Sequence, residues 1–297
     1  MDSQGDRFLS RWRSRSWLLP ACLLVTLILL AALAPWVSPQ NPYDLASLDL
    51  RFSSLPPAWR FGPASTGSDP SPVTPRFVLG TDRQGRDLLS AILFGLRVSL
   101  LVGVSATAIG LLLGVGLGLV AGYFGGRWEA AIMRACDIQL SFPSVLIAMF
   151  LMAFWGQGLL KIIVAVGVVH WVLYARMARG QILVEREKDY IAAVRALGAG
   201  PPRIMLFHLL PNLITPILVV SVVQFASVVI LEATLSFLGL GAPITRPSLG
   251  MLIKFGHDEF FSGHWWVWFF PGLTLMILMV AVNWLADALR DRFRLQQ

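Results

Sequence analysis

Charge is scarce in this chain. Asp, Glu, Lys and Arg make up 14% of the 297 residues and 56% are hydrophobic, where a soluble domain carries about 25% charge. Mean hydropathy is +0.68, so the composition excludes an ordinary water-soluble globule and points to a membrane protein. Cysteine is nearly absent. Cys22 and Cys136 both fall at or inside apolar runs, which argues against a disulfide framework and leaves two small buried thiols. There is no H-E-x-x-H, no G-x-S-x-G and no cysteine pair, so the common zinc and serine hydrolase signatures are missing. A phosphate loop is missing too. The nearest stretch, residues 80–87, has Arg86 where the lysine belongs and Asp87 where a Mg²⁺-binding hydroxyl belongs, and a carboxylate there repels phosphate. The formal net charge is +7, but the basic residues sit beside apolar spans, so nucleic acid is not implied.

What the chain does have is apolar length. Runs at 17–37, 98–122, 138–155, 162–178, 213–236 and 269–289 each match the roughly 17–25 residues that cross a hydrocarbon core of about 30 Å. The first follows Arg7, Arg11, Arg13 and Arg15 and exceeds the apolar core of about 7–15 residues in a signal peptide, so it reads as an uncleaved helix. The third is expected to kink near Pro143. Residues 38–80 hold eight prolines with Ser and Gly between them and read as an irregular extracytoplasmic loop. The resulting division is a tail and first helix over 1–37, an outer loop over 38–94, a five-helix core over 95–289 and a tail over 290–297. Six spans put both termini on one side. Fifteen of the 24 basic residues fall on that side, which makes it the cytoplasmic one. Trp265, Trp266 and Trp268 fit an aromatic belt at the outer surface.

Gly110, Gly114, Gly118 and Gly122 recur at a spacing of four on one face of the second span, the pattern of closely packed helices in lipid. Their partner is either another span of this chain or a second subunit. Ionisable groups inside spans are functional candidates by default. Asp137 and Asp287 sit at inner boundaries, His170 reads as a hydrogen-bonded core residue, and Glu232 either lines a cavity or pairs with a structural Arg. With Ser221, Gln224, Ser227 and Thr234, Glu232 outlines a polar path along the fifth span.

The longest polar stretch, residues 185–212, starts with helix formers and breaks at Gly198, Gly200, Pro201 and Pro202. A second short run is expected to end at Pro211-Asn212, giving a helix–turn–helix outside the bilayer. Ala192, Ala193 and Ala196 give it a small-residue face.

Ala192-Ala193-Val194-Arg195-Ala196-Leu197-Gly198, followed by His208-Leu209-Leu210-Pro211, resembles the EAA loop of ABC importer permeases. Ala192 stands in place of the family's Glu and Val194 in place of its second Ala. Gly80-Thr81-Asp82-Arg83-Gln84-Gly85-Arg86-Asp87 resembles a motif of the dipeptide/oligopeptide/nickel branch, although the same residues also read as a solvated turn capping a helix that starts near Leu88. Residues 232–241, Pro271-Gly272 and Asn283, Asp287, Arg290 and Asp291 are similar to the same branch. Ala91 departs from it, standing where a basic residue is usual.

The resemblance implies an all-α, multi-pass type I ABC importer permease of about six transmembrane helices with a cytoplasmic coupling helix. It implies that Asp189, Tyr190, Ala192, Ala193, Arg195, Ala196, Leu197, Gly198 and Ala199, with Arg203, His208 and Pro211, meet the ATPase. The implied partners are a second homologous permease, two ATPase subunits that bind the ATP and Mg²⁺, an extracytoplasmic peptide-binding protein and membrane lipid. This chain itself is expected to hold no cofactor or metal, and its expected home is the bacterial cytoplasmic membrane. A nickel path would benefit from imidazole, thiolate or carboxylate ligands in the spans. His170 and Glu232 are poor provision for that, so di- or oligopeptide is the expected substrate and nickel the alternative. A reading of another class is a membrane-embedded enzyme using His170 or His208, which would need a Ser or Asp converging at the same depth.

Overall fold

In the computed structural model, residues 18–44, 48–59, 77–243 and 245–294 are described. The basic tail with Arg7, Arg11, Arg13 and Arg15 and the prolines Pro63, Pro70, Pro72 and Pro75 lie outside them. The described chain forms nine helices: α1 Leu18–Val37, α2 Leu88–Phe124, α3 Gly126–Leu140, α4 Ser144–Trp155, α5 Leu159–Glu185, α6 Asp189–Ala196, α7 Pro201–Phe237, α8 Leu249–Asp258 and α9 Trp266–Arg294. Five of these, α1, α2, α5, α7 and α9, are long and apolar enough to cross a membrane.

The central mast is α2, which packs against α1, α3, α5, α7, α8 and α9. It is longer than the expected 98–122 because Asp87 caps its start, accepting the Ser90 N–H at 2.8 Å in the way Asp satisfies orphan amides at an N-cap. Buried side chains fall into three layers along it. Leu88, Ile92 and Leu96 pack with Leu249, Leu252 and Trp266. Val98 and Val102 pack with Met152, Ile162 and Val166. Val115 and Leu119 pack with Tyr174, Ile182, Ile191 and Leu213.

The glycine stripe of α2 lies on α5 of the same chain. A Cβ on Gly110 would fall 3.1 Å from the Gly167 carbonyl, one on Gly114 2.3 Å from that of Trp171, one on Gly118 2.6 Å from that of Ala175, and one on Gly122 2.7 Å from Ile182 Cβ. Backbones approach this closely only where side chains are missing. Because the numbers rise together along both helices, α2 and α5 run parallel. The chain between them must therefore return across the whole bundle.

That return is α3 and α4, which break at the expected place near Pro143 but start at Gly126, ahead of the expected 138. The two helices meet at 90°. Pro143 cannot continue α3, since it has no N–H to donate, and it stands instead at the N-cap of α4. At about 1.5 Å per residue the 12 residues of α4 reach only some 18 Å, so α4 cannot cross alone. The two helices cross jointly, which gives six crossings. Gln40 accepts the Asp87 N–H at 2.7 Å and Trp266 reaches Thr81, so α1 ends and α9 begins beside the start of α2. The first residue of α1 and the last of α9 therefore lie at the opposite end of the bundle, with α6.

Two further expectations are corrected. Pro211-Asn212 does not end a helix, because α7 runs through it from Pro201 to Phe237. A π turn over Met205–Leu209, closed by the Leu210 N–H on the Met205 carbonyl, absorbs the missing proline donor. Between α7 and α9 the chain forms α8, and Trp266, 4% exposed, is a core residue rather than the expected belt residue. Its indole N–H donates to the Thr81 carbonyl at 3.3 Å.

Candidate functional site

The end of the bundle at 185–212 presents a built surface. Helix α6 has eight residues, and Ile191 is its one buried side chain, packed among Ile182, Ile204 and Leu213. Asp189, Tyr190, Ala192, Ala193, Arg195, Ala196, Gly198 and Arg203 are exposed, Ala199 is half-buried, and Leu197 is 87% exposed. The helix ends in a Schellman turn. Ala199 N–H returns to Val194 O at 3.3 Å and Gly198 N–H to Arg195 O at 3.0 Å, with Gly198 at φ +84, a conformation that glycine adopts without strain. A helix this short does not hold itself together in water, so its anchors decide its position.

Those anchors include residues that the sequence reading passed over. Tyr190 Oη donates to Glu185 Oε1 at 2.7 Å, and the Asn212 side-chain amide reaches Glu185 Oε1 at 3.0 Å, Tyr190 Oη at 2.8 Å and the His208 carbonyl at 3.0 Å. Lys188 Nζ stands 2.8 Å from Glu185 Oε2. One knot thus ties the end of α5 to α6 and to the π turn of α7. Burial and the neighbouring Glu185 carboxylate push the Tyr190 phenol up to about 12, so it stays a hydrogen-bond donor at neutral pH. His208 is half-buried with Nδ1 3.3 Å from the Arg203 carbonyl, and Pro211 is exposed. The signal available in the sequence was Asn212 directly after a helix-interior proline.

At the other end, residues 80–87 form a buried turn rather than a solvated one. Thr81 is buried, its N–H donating to Leu55 O at 2.9 Å while its hydroxyl accepts the Leu55 N–H at 2.7 Å. Asp82 Oδ1 accepts the amides of Gln84 at 2.8 Å and Arg86 at 2.9 Å. Gly80 has φ +85, and a Cβ there would meet the Leu55 carbonyl at 2.5 Å. Gly85, also at positive φ, closes on Asp49 in the same way, so the turn fastens 49–55 to the start of α2. Arg86, 1% exposed, lies 4.0 Å from Asp82. Burial raises the Asp82 carboxyl above its ordinary value, against the opposing pull of the Arg86 amide and guanidinium.

The polar residues of α7 do not converge. Ser221, Ser227 and Thr234 turn their hydroxyls back on carbonyls four residues earlier at 2.8, 3.5 and 2.8 Å. Gln224 and Glu232 are buried and Ser227 is exposed, so they share no single face. The expected pairing of Glu232 with an Arg is corrected, because its hydrogen-bond partners are hydroxyls. A cleft of roughly 600 Å³ lies instead between α3 and α5, lined by Glu129, Met133, Asp137, Arg176 and Arg179 and bridged by the pairs Arg176–Asp137 and Arg179–Glu129. His170 is buried, with Nδ1 2.9 Å from the Val166 carbonyl.

The described residues thus form an all-helical bundle with an exposed, anchored short helix at one end. Residues 114–295 match the family described as the binding-protein-dependent transport system inner membrane component, and the chain belongs to that family. It is 38% identical over 91% of its length to a di/tripeptide transport system permease protein of Pseudomonas aeruginosa, covering 84% of that protein. It is 36% identical over 91% of its length to a dipeptide transport system permease protein of Bacillus subtilis, covering 78% of it. Among solved structures, the inward-facing MetNI methionine ABC transporter matches with a TM-score of 0.54 at 21% identity, over 66% of this chain and 93% of that one, a likeness of fold.

Proposed function

We propose that this chain is one of two related permeases in a bacterial ABC importer of di- and oligopeptides, residing in the cytoplasmic membrane with α6 and both termini on the cytoplasmic side. The observation that carries the reading is α6, a helix with one buried anchor and an exposed face of small residues ending in the knob of Leu197. A surface of that form fits a groove of a separate ATPase subunit. ATP and Mg²⁺ belong to two such partners, this chain holds no cofactor and performs no covalent chemistry, and an extracytoplasmic binding protein selects the peptide. The relatives named for di- and tripeptides favour peptide over nickel.

In this mechanism, closure of the ATPases pushes on α6. The knot of Glu185, Tyr190 and Asn212 passes the push to α5 and α7 together, and α2 moves with α5 because their backbones are in contact along the glycine stripe. The bundle then rocks between inward- and outward-open states as bodies rather than bending within helices.

Leu197→Asp tests the coupling. The side chain has open surroundings, so the variant should reach the membrane in normal amount. Truncating or charging an apolar knob at an interface centre costs about 2 kcal/mol or more, so ATPase copurification should fall at least about tenfold and labelled dipeptide uptake with it. Uptake at the wild-type level would end the assignment. A chain-deletion strain that loses nickel accumulation and keeps dipeptide uptake would end the substrate reading.

A further inference from the structure

Glu232 is fully buried, at 0% exposure, near the end of α7. Ser236 Oγ donates to its Oε1 at 2.6 Å and Ser99 Oγ to its Oε2 at 3.1 Å. Ser99 also accepts the backbone N–H of Leu249, the first residue of α8, at 3.3 Å. One hydrogen-bond chain therefore runs from the first amide of α8, through α2, to the carboxylate on α7. Among the described residues no ion pair to Glu232 is formed.

The depth of this joint matters. Ser99 lies 11 residues into α2, about 16 Å below its start. Helix α7 stops five residues after Glu232, at Phe237, and α8 begins beside it at Leu249. Helix α8 then climbs to Glu259, which accepts from Ser54 at 3.2 Å in the outer segment. The described residues 238–243 and 245–248 form no helix, and α8 starts at the joint and doubles back toward the outer segment. Ser248, the N-cap of α8, makes no side-chain cap bond, and the start of α8 is tied to α2 through the Leu249 amide. Close seating is already built in, since a Cβ on Gly250 would fall 2.5 Å from Ala233 Cα and one on Gly256 2.2 Å from the Trp268 nitrogen. Smooth apolar contact in lipid carries little registration of its own, whereas a buried polar joint fixes it.

We infer that Glu232 is a positioning residue for transport, the latch that seats α8 against α2 and α7, rather than a contact for the substrate. The role presumes the permease reading above, but the exchange readout does not depend on what is carried. The full transporter is reconstituted in nanodiscs, and amide hydrogen exchange is followed over 249–258 alongside peptide uptake.

Glu232→Ala should speed exchange in α8 about tenfold, as expected for one lost buried hydrogen-bond set, and should reduce uptake, while residues 110–122 stay protected. Glu232→Gln keeps an acceptor at the same place and should restore most of both. Ser99→Ala breaks only the bridge, so it serves if Glu232→Ala does not accumulate, and it should loosen the first turn of α8 selectively. Unchanged α8 exchange in Ser99→Ala overturns the latch. Loss of uptake in Glu232→Gln with α8 still protected overturns it in favour of direct substrate contact.

Discussion

At the scale of single residues, the sharpest contrast lies among the glycines of α2. Gly114 faces the Trp171 carbonyl, and a Cβ there would fall 2.3 Å from it, whereas a Cβ on Gly116 would meet nothing within 4 Å. Gly114→Leu must push two backbones apart, and overpacking of this kind costs about 1–3 kcal/mol or more. It should cut accumulation of folded protein and lower its melting temperature, while Gly116→Leu leaves both near wild type. Equal behaviour of the two variants would show that the α2–α5 contact is not what holds the pair. The spacing of Gly110, Gly114, Gly118 and Gly122 was legible in the sequence because helical periodicity alone puts them on one face. Their partner was not, since that depends on the parallel run of α5, which no local pattern encodes. The same limit explains Glu232. A buried carboxylate suggests a cation, but the sequence gives no sign that Ser99, more than 130 positions away, arrives with a hydroxyl instead.

At the scale of elements, long apolar helices were readable and short or broken ones were not. Helix α8 is ten residues, half the length that hydropathy needs to register a span, and its glycines lower any propensity signal. The π turn in α7 was hidden because Pro211 locally reads as a stop, and only packing of Leu209 and Leu213 against Ile191 and Tyr174 carries the helix past it. The turn 80–87 was legible as a motif yet not as a buried one, since its four charged residues gave no hint of the backbone amides that receive Asp82. That burial has a pH consequence. The folded state raises the Asp82 carboxyl above its ordinary value, so folding favours its protonated form. The stabilisation is full below the unfolded value of about 3.9 and is lost as pH rises through the folded value. Thermal stability in detergent should therefore rise as pH is lowered from neutrality toward about 4, apart from other groups. Asp82→Asn, which keeps the acceptor for Gln84 and Arg86, should remove that part of the slope. An identical pH profile in the variant would mean that Asp82 is not titrating with folding.

At the scale of the whole molecule, the parallel pairing of α2 with α5 decides the topology. Five helices pass as spans on length and apolar character, and the bent pair α3–α4 makes a sixth. Were that pair to dip and return on one side, α5 would run antiparallel to α2. The contacts from Gly110–Gly167 down to Gly122–Ile182 exclude that arrangement within the bundle. Six crossings put the beginning of α1 and the end of α9 with α6, and put the turn over Phe260–Ser262 with residues 80–87. Two residues report on these faces without disturbing them, because Phe261 is 95% exposed and Leu197 is 87% exposed. In a background with Cys22→Ser and Cys136→Ser, Phe261→Cys should react with an impermeant thiol reagent added to spheroplasts. Leu197→Cys should react only after permeabilisation, and its labelling should fall when the ATPase partner is coexpressed, since the same side chain is the proposed knob of the interface. Labelling of Leu197→Cys in sealed spheroplasts would invert the orientation. Unprotected labelling of it in the assembled complex would leave the orientation standing and remove α6 from the interface.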